Sequence, residues 1–396
     1  MFRAGLVAGL FAGLCVLAGC QVEPGAQVSE VQPQGQCRVQ TPAYQAPPFN
    51  TCAGSGRVQL ALVGDVLLHW QLQQAGYARG FRRIWSQAEP LLAGADIAIA
   101  NLEGAVAPGL GPGGRAMADP GPVYGTGVYS GYPAFNYHPM VLSELKATGV
   151  DIVTTANNHA MDRGPRGADM TLGGVAKAGL GAVGSISAGA ARDFVLRERT
   201  SLGTLSFIAC SFSTNGMPDP HHQVLGCYGA DRAVLLDLVR REAADRAVAG
   251  VVVLPHWGQE YTSQPDANQR ALARDLVAAG ATAVVGTHPH AVQPWALETR
   301  GDGAKVPVVY STGNFVAVQT GIPAQVGAMA LLELCKAPDG GLVAHQGGWV
   351  AMQMEFTPQR YWLDVAPAGA QGRRAMSFDH LSRVAPGFSA QPRECR

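Results

Sequence analysis

The sequence predicts an α/β fold with its working residues at one edge of a mostly parallel sheet. Three observations predict it. Short apolar runs alternate with longer helix-like segments from about residue 57 onward. Five of the runs end in polar islands: Gly64-Asp65, Asn101-Leu102-Glu103, Asn157-Asn158-His159, His256-Trp257-Gly258-Gln259-Glu260 and Thr287-His288-Pro289-His290. After Gly327 the alternation gives way to two strand-like runs, 328–334 and 348–356, which read as antiparallel members of a second sheet. In open α/β sheets, ligands gather beyond the carboxyl ends of the strands.

The elements follow in order. Residues 60–63 read as a strand, 81–92 as a helix, 97–100 as a strand, 140–148 as a helix and 152–155 as a strand. Residues 164–178 read as a helix with Leu172 and Val175 on one face. Strands at 205–209 and 251–254 flank a charged amphipathic helix at 231–247. A helix at 268–279 leads to strands at 283–285 and 308–310. Residues 107–133 interrupt the pattern with dense Gly and Pro and several tyrosines; a loop this long in a compact domain is usually functional or disordered. No internal repeat and no second independent domain is evident.

The 396 residues are 47% hydrophobic and 15% charged, enough for a substantial core. A formal net charge of zero and few aromatics give no reason to expect nucleic acid as a partner. Arg3 and the apolar run 6–16 form a targeting segment too short to span a bilayer. Leu17-Ala18-Gly19-Cys20 resembles a bacterial lipobox, which implies cleavage before Cys20 and lipid on its thiol. Gln21, rather than Asp, favours an outer-membrane destination where there are two membranes. The expected organisation is a signal peptide at 1–19, a flexible tether at 20–56 and one folded domain at 57–396. Six cysteines follow the signal region, an even number that suits disulfides in an exported protein. Pairing neighbours in sequence gives Cys37–Cys52, Cys210–Cys227 and Cys335–Cys395.

Asp65 and Glu103 are hard oxygen donors at strand ends; His256, His288 and His290 add imidazoles, and Asn158 an amide oxygen. Mixed nitrogen and oxygen donors suit Zn, Mn or Fe better than Ca. One or two such ions would clamp a phosphoryl or acyl oxygen. Pro289 fixes the backbone between two imidazoles. Each island alone is as readily a turn; together, in order, they point to a metal-centred hydrolytic site.

These islands, with Asn157-Asn158-His159-Ala160-Met161-Asp162-Arg163-Gly164 and Tyr310-Ser311-Thr312-Gly313-Asn314-Phe315, resemble the signature blocks of the poly-γ-glutamate capsule synthesis proteins of CapA type. The resemblance covers roughly 60–316. It implies a four-layer α/β/β/α sandwich of metallophosphatase-like type and a role with an anionic envelope polymer. Mapped by motif, Asp65 and Glu103 resemble metal-binding carboxylates, with Glu103 as the bridge, and His256, His288 and His290 the histidine ligands. Asn158 resembles the metal-binding Asn of metallophosphoesterases, and His159 the catalytic His beside it. One departure stands out: Leu67 occupies the position of the His in the Asp-x-His of that superfamily, with His69 close by. Asp162 is expected to orient His159, Glu260 to orient His256 or His288, and Trp257 and Tyr261 to pack near the site. Arg115, Arg163 and Arg166 are candidates for meeting a polyanion. Three functions fit: a metal-dependent envelope hydrolase, a non-catalytic polymer-binding lipoprotein, and a scaffold for a membrane synthase complex.

Overall fold

The structure, a computed structural model, describes residues 42–391. After a short first strand, β1 (Ala43–Tyr44), the chain lays down β2 (Val58–Val66), β3 (Ile97–Leu102), β4 (Ile152–Thr154) and β5 (Gly181–Val183). Then come β6 (Val195–Thr200), β7 (Gly203–Ser211), β8 (Val248–His256), β9 (Ala283–Val285), β10 (Trp295–Thr299) and β11 (Lys305–Val309). The path closes with β12 (Asn314–Val316), β13 (Val326–Lys336), β14 (Leu342–Thr357), β15 (Arg360–Ala366) and β16 (Ala390–Gln391).

Two large sheets result. One has eight strands in the order β15-β14-β13-β2-β3-β4-β5, with β12 paired to β2. The other has six, in the order β10-β11-β9-β8-β7-β6. Each has a parallel centre, β2 to β5 in one and β7, β8, β9 and β11 in the other, with antiparallel neighbours outside.

Alternation along the strands builds the layers. Leu60, Leu62, Ile99, Phe207, Val252, Leu254, Ala330 and Leu332 share one core, which therefore lies between the sheets. Ala61, Val63, Ala98 and Ala100 face the other way and pack with Trp85, Leu92, Val141 and Leu145. Ile208, Val251 and Val253 do likewise with Leu235, Val239, Leu272 and Leu276. The outer partners lie on or beside helices α1 (Trp70–Arg79), α2 (Arg82–Trp85), α3 (Glu89–Ala93) and α4 (Met140–Ala147) for the first sheet. For the second they lie on α6 (Asp231–Ala244) and α7 (Ala267–Ala278); α5 (Gly164–Lys177) precedes these, and α8 (Ile322–Gln325) and α9 (Arg373–Val384) follow. This is a four-layer α/β/β/α sandwich. Strand β3 is buried along its whole length, as a strand covered on both faces should be.

Several expectations are corrected. The helix expected at 81–92 is two short helices, because Pro90 cannot continue a helix and serves as the start of a new one. Residues 42–56, expected to be tether, are packed: β1 pairs with β16, and the Asn50 amide donates to the carbonyls of Lys305 (2.7 Å) and Ala344 (2.6 Å). Side-chain bonds and a disulfide hold this segment, so no hydrophobic period announces it. The disulfide is Cys52–Cys335, not Cys37–Cys52 or Cys335–Cys395. Pairing by sequence proximity fails because β13 lies beside β2, where the N-terminal segment enters, and Ala53 N–H bonds to the Lys336 carbonyl at 2.7 Å. Cys210–Cys227 forms as expected. The lipobox with Cys20, Cys37 and Cys395 lie outside the described residues.

The Gly/Pro-rich stretch at 107–133 is held by two buried side chains. The Asn136 amide donates to the carbonyls of Ala107, Leu110 and Val128 at 2.9, 3.2 and 2.9 Å. Arg163, only 1% exposed, donates to the carbonyls of Leu110, Val128 and Asp162 and to the Ser130 hydroxyl. Arg163 is therefore committed to this loop and does not face a polyanion.

Candidate metal centre

The carboxyl ends of β2, β3, β4, β8 and β9 meet at one edge of the sandwich. Asp65 sits near the end of β2, where Gly64 permits close contact: a Cβ there would stand 1.7 Å from the Gly313 carbonyl oxygen. Asp65 N–H bonds to that same oxygen at 3.2 Å. Its Oδ1 accepts from the Asn101 amide at 2.8 Å, and its Oδ2 lies 3.0 Å from His290 Nδ1. Glu103 follows β3 directly, and Asn158 and His159 follow β4. His288 and His290 flank Pro289 with positive φ values of 98° and 54°. Such backbone costs of order 1–3 kcal/mol per residue and persists where the surroundings over-determine it.

Two groups of donors form around one carboxylate. Ligand atoms of Glu103, His256 and His288 lie within 4.8 Å of one another, as do those of Asp65, Glu103 and His290. Glu103 belongs to both. His256 Nε2 is 3.6 Å and His290 Nε2 3.9 Å from Glu103 Oε1. Asn158 Oδ1 lies 2.8 Å from His256 Nε2, beside the first group.

The electrostatics say what this donor set lacks. Both Glu103 oxygens are buried with no hydrogen-bond partner, and so is His288 Nδ1. Burial pushes the Glu103 carboxyl well above the usual carboxylate range, and the charges of Asp65, Glu260 and Asp162 push it further. Burial holds His256 well below the usual imidazole range, reinforced by His288, His290 and His159. The same burial, with His290 and His159, brings His288 down to about 3. A buried carboxylate without donors, beside His256 and His288 held neutral, fits a divalent cation and is costly without one.

Residues outside the expected set orient these groups. Thr287 Oγ1 (2.9 Å) and Asn101 Nδ2 (3.2 Å) both address His256 Nδ1. Asn314 braces His290, with its Oδ1 3.0 Å from Nδ1 and its amide donating to the Ala324 carbonyl at 2.9 Å. Thr287, Asn101 and Asn314 all stand inside the signature blocks, so their position was the available signal. Glu260, expected to orient His256 or His288, is exposed and bonds to neither; Thr287 and Asn101 hold His256 in its place. Asp162 does orient His159: its Oδ2 lies 2.8 Å from His159 Nδ1 and also accepts Phe135 N–H at 2.6 Å. The Phe135 ring packs on His159 at 4.7 Å, and the Phe212 ring on His288 at 4.2 Å. Trp257 is buried and donates to the Tyr310 carbonyl, whereas Tyr261, expected to pack, is 59% exposed and lies over His290 at 5.8 Å. Leu67 is buried in the apolar core under α1 to α4, so that position supplies no donor.

Residues 59–319 match the profile of a family described as bacterial capsule synthesis protein PGA_cap. The chain belongs to this family. The PGA_cap family is metallophosphatase-like, in keeping with the four layers. The chain is 28% identical over 257 residues to the PGA biosynthesis protein CapA of Bacillus subtilis (strain 168), a match covering 65% of this chain and 62% of the relative. It is 31% identical over 186 residues to the capsule biosynthesis protein CapA of Bacillus anthracis, covering 43% and 41%. The matches thus span about half the length of these relatives. Among solved structures, a hypothetical protein from Thermus thermophilus aligns at a TM-score of 0.40 and 16% identity, over 74% of this chain and 99% of that one. The Thermus thermophilus sulfate thiohydrolase SoxB aligns at 0.39 and 11%, over 84% and 61%.

Proposed function

We propose that this chain acts on an anionic capsule polymer of poly-γ-glutamate type, in its synthesis, anchoring or processing, through a metal-dependent hydrolytic site. The observation that carries the reading is Glu103, buried, unpartnered and common to two donor groups. Asp65, Glu103, Asn158, His256, His288 and His290 would hold one or two ions of Mn, Zn or Fe. Such ions supply Lewis acidity at a phosphoryl or carbonyl oxygen and bring the ionisation of water toward neutral pH.

The chain's own residues would do the rest. Asp162 fixes the His159 ring through Nδ1, which leaves Nε2 as the atom that gives or takes a proton. A proton on Nε2 would pass from there to the leaving group. Phe135 and Phe212 keep water from one face of His159 and His288. The substrate bond is a phosphodiester or a γ-glutamyl amide.

The lipobox at Cys20 supports placement in the cell envelope on a lipid anchor, at the periplasmic face of an outer membrane where there is one. The names of the relatives support a place in capsule assembly, and a membrane synthase complex is the partner such a place calls for. A second reading, a non-catalytic polymer-binding or scaffold lipoprotein, is favoured by Leu67, which removes one donor. Purified full chain, with and without chelator, separates the two when given a γ-glutamate oligomer and a chromogenic phosphodiester. Chelator-sensitive cleavage of either, lost in His159→Ala, supports the hydrolase; cleavage of neither by metal-loaded protein refutes it.

A further inference from the structure

A second feature lies on the outer, helical face of the sandwich. A groove of about 1310 Å³ runs along α1 and α2 to the turn between β14 and β15. Arg79, Arg83 and Arg360 line it, all exposed. Two carboxylates also line it, Glu89, which pairs with Arg82, and Glu144, which accepts Arg82 N–H at 2.6 Å, so the wall carries four guanidiniums (Arg79, Arg82, Arg83 and Arg360) against two carboxylates. Arg79, Arg83 and Arg360 have no carboxylate partner among the described residues, though Arg360 lies over the Trp362 ring at 4.8 Å. In a chain of zero formal net charge, three such guanidiniums around one concavity form a local anion receptor.

Two further wall residues narrow the ligand. Gln71 lines the groove and its side-chain oxygen is buried without a partner, so that a rotation of the side chain would let it accept an N–H. Trp70 is 50% exposed and offers apolar surface to methylene groups. The Trp70 end of the groove is tied to the metal centre through side-chain packing. Trp70 opens α1 directly after His69, whose ring packs on Phe135 at 5.7 Å, and Phe135 packs in turn on His159.

We propose that this groove binds an anionic polyamide: carboxylates seat on Arg79, Arg83 and Arg360, and a chain amide N–H donates to Gln71. Arginine matches carboxylates by paired N–H donors. The occupied groove would hold a polymer remote from the bond that reacts. The choice of a polyamide rests on the polymer reading above; the cationic groove does not.

Calorimetric titration of the metal-loaded full chain with a γ-linked glutamate oligomer tests this, with inorganic polyphosphate as the comparison anion. The triple variant R79A/R83A/R360A should bind the oligomer at least about tenfold more weakly, since each exposed ion pair contributes only a few-fold, and should keep its metal. Q71A should weaken the oligomer and leave polyphosphate unchanged. H288A should lose metal and retain oligomer binding. Wild-type affinity in the triple variant overturns the proposal, as does polyphosphate binding as tightly as the oligomer. Binding in the groove without any cleavage refutes the hydrolytic reading alone, and cleavage untouched by the triple variant refutes only the groove.

Discussion

Glu103→Gln should change stability with opposite signs depending on metal. Without metal, the wild-type carboxylate is buried with neither oxygen paired, and its raised proton affinity means that the folded state holds the proton more tightly than the unfolded chain. Stability is therefore lost as pH rises from the ordinary carboxylate range through the folded value, by about 1.4 kcal/mol per unit of upward shift. The near-isosteric amide removes the charge but keeps an unsatisfied polar group worth roughly 1–3 kcal/mol. The metal-free variant at pH 8 should gain about 1–3 kcal/mol over wild type. For about 350 described residues the unfolding entropy is roughly 0.7 kcal/mol/K, so the gain is about 1–4 °C in Tm. With metal in thousandfold excess over Kd, wild type instead gains about 4 kcal/mol for one site, and the variant lacks the ligand common to both donor groups. Scanning calorimetry of both proteins, with chelator and with Mn or Zn, reads the crossing directly. A variant destabilised equally in both conditions, or a wild-type Tm indifferent to chelator, refutes the reasoning.

Three further outcomes follow from the same geometry. His159→Ala should lower any hydrolytic rate about 10²- to 10⁴-fold with metal content unchanged, measured by initial rates and elemental analysis; loss of metal would make His159 a ligand instead. In chelated protein, His288 charges at about 3 when folded and near 6.5 when unfolded. The unfolded chain then binds more protons, and stability present above the unfolded value is lost as pH falls: about 2 kcal/mol at pH 5 from this residue alone. Urea unfolding at pH 7 and 5 should show that loss in wild type and a smaller one in His288→Asn; equal losses would contradict it. Replacing Cys52 and Cys335 by Ser should cost about 2–4 kcal/mol in thermal melts, because the bond closes a 283-residue separation and staples the segment that enters β2; an unchanged melt would remove that role.

The sequence made the central strands and most of the donors legible because their signals are local. Val251 and Val253 face one core and Val252 and Leu254 another, and that alternation is written into consecutive residues. Asp65, Glu103, His256, His288 and His290 each follow such a run, and the structure brings all five together. What stayed hidden was non-local. The Cys52–Cys335 bond depends on β13 pairing with β2, a register no neighbouring residue encodes. Helix α1 was missed because its Gln-rich sequence has little apolar face; only Leu72, Gln73 and Gly76 are buried. Glu260 stands four residues from His256, but the turn leaves it in solvent, so proximity in sequence misassigned it. Arg163 looked like surface charge, and only the folded loop reveals the carbonyls it serves.

Elemental analysis of the purified, folded full chain beside Glu103→Ala decides whether two donor groups sharing Glu103 form a metal centre. About two transition-metal ions per chain are expected in wild type, one for each donor group, and none in the variant. Wild-type protein that is folded yet holds no metal after exposure to Mn, Zn and Fe, or a variant that retains two ions, would contradict this expectation.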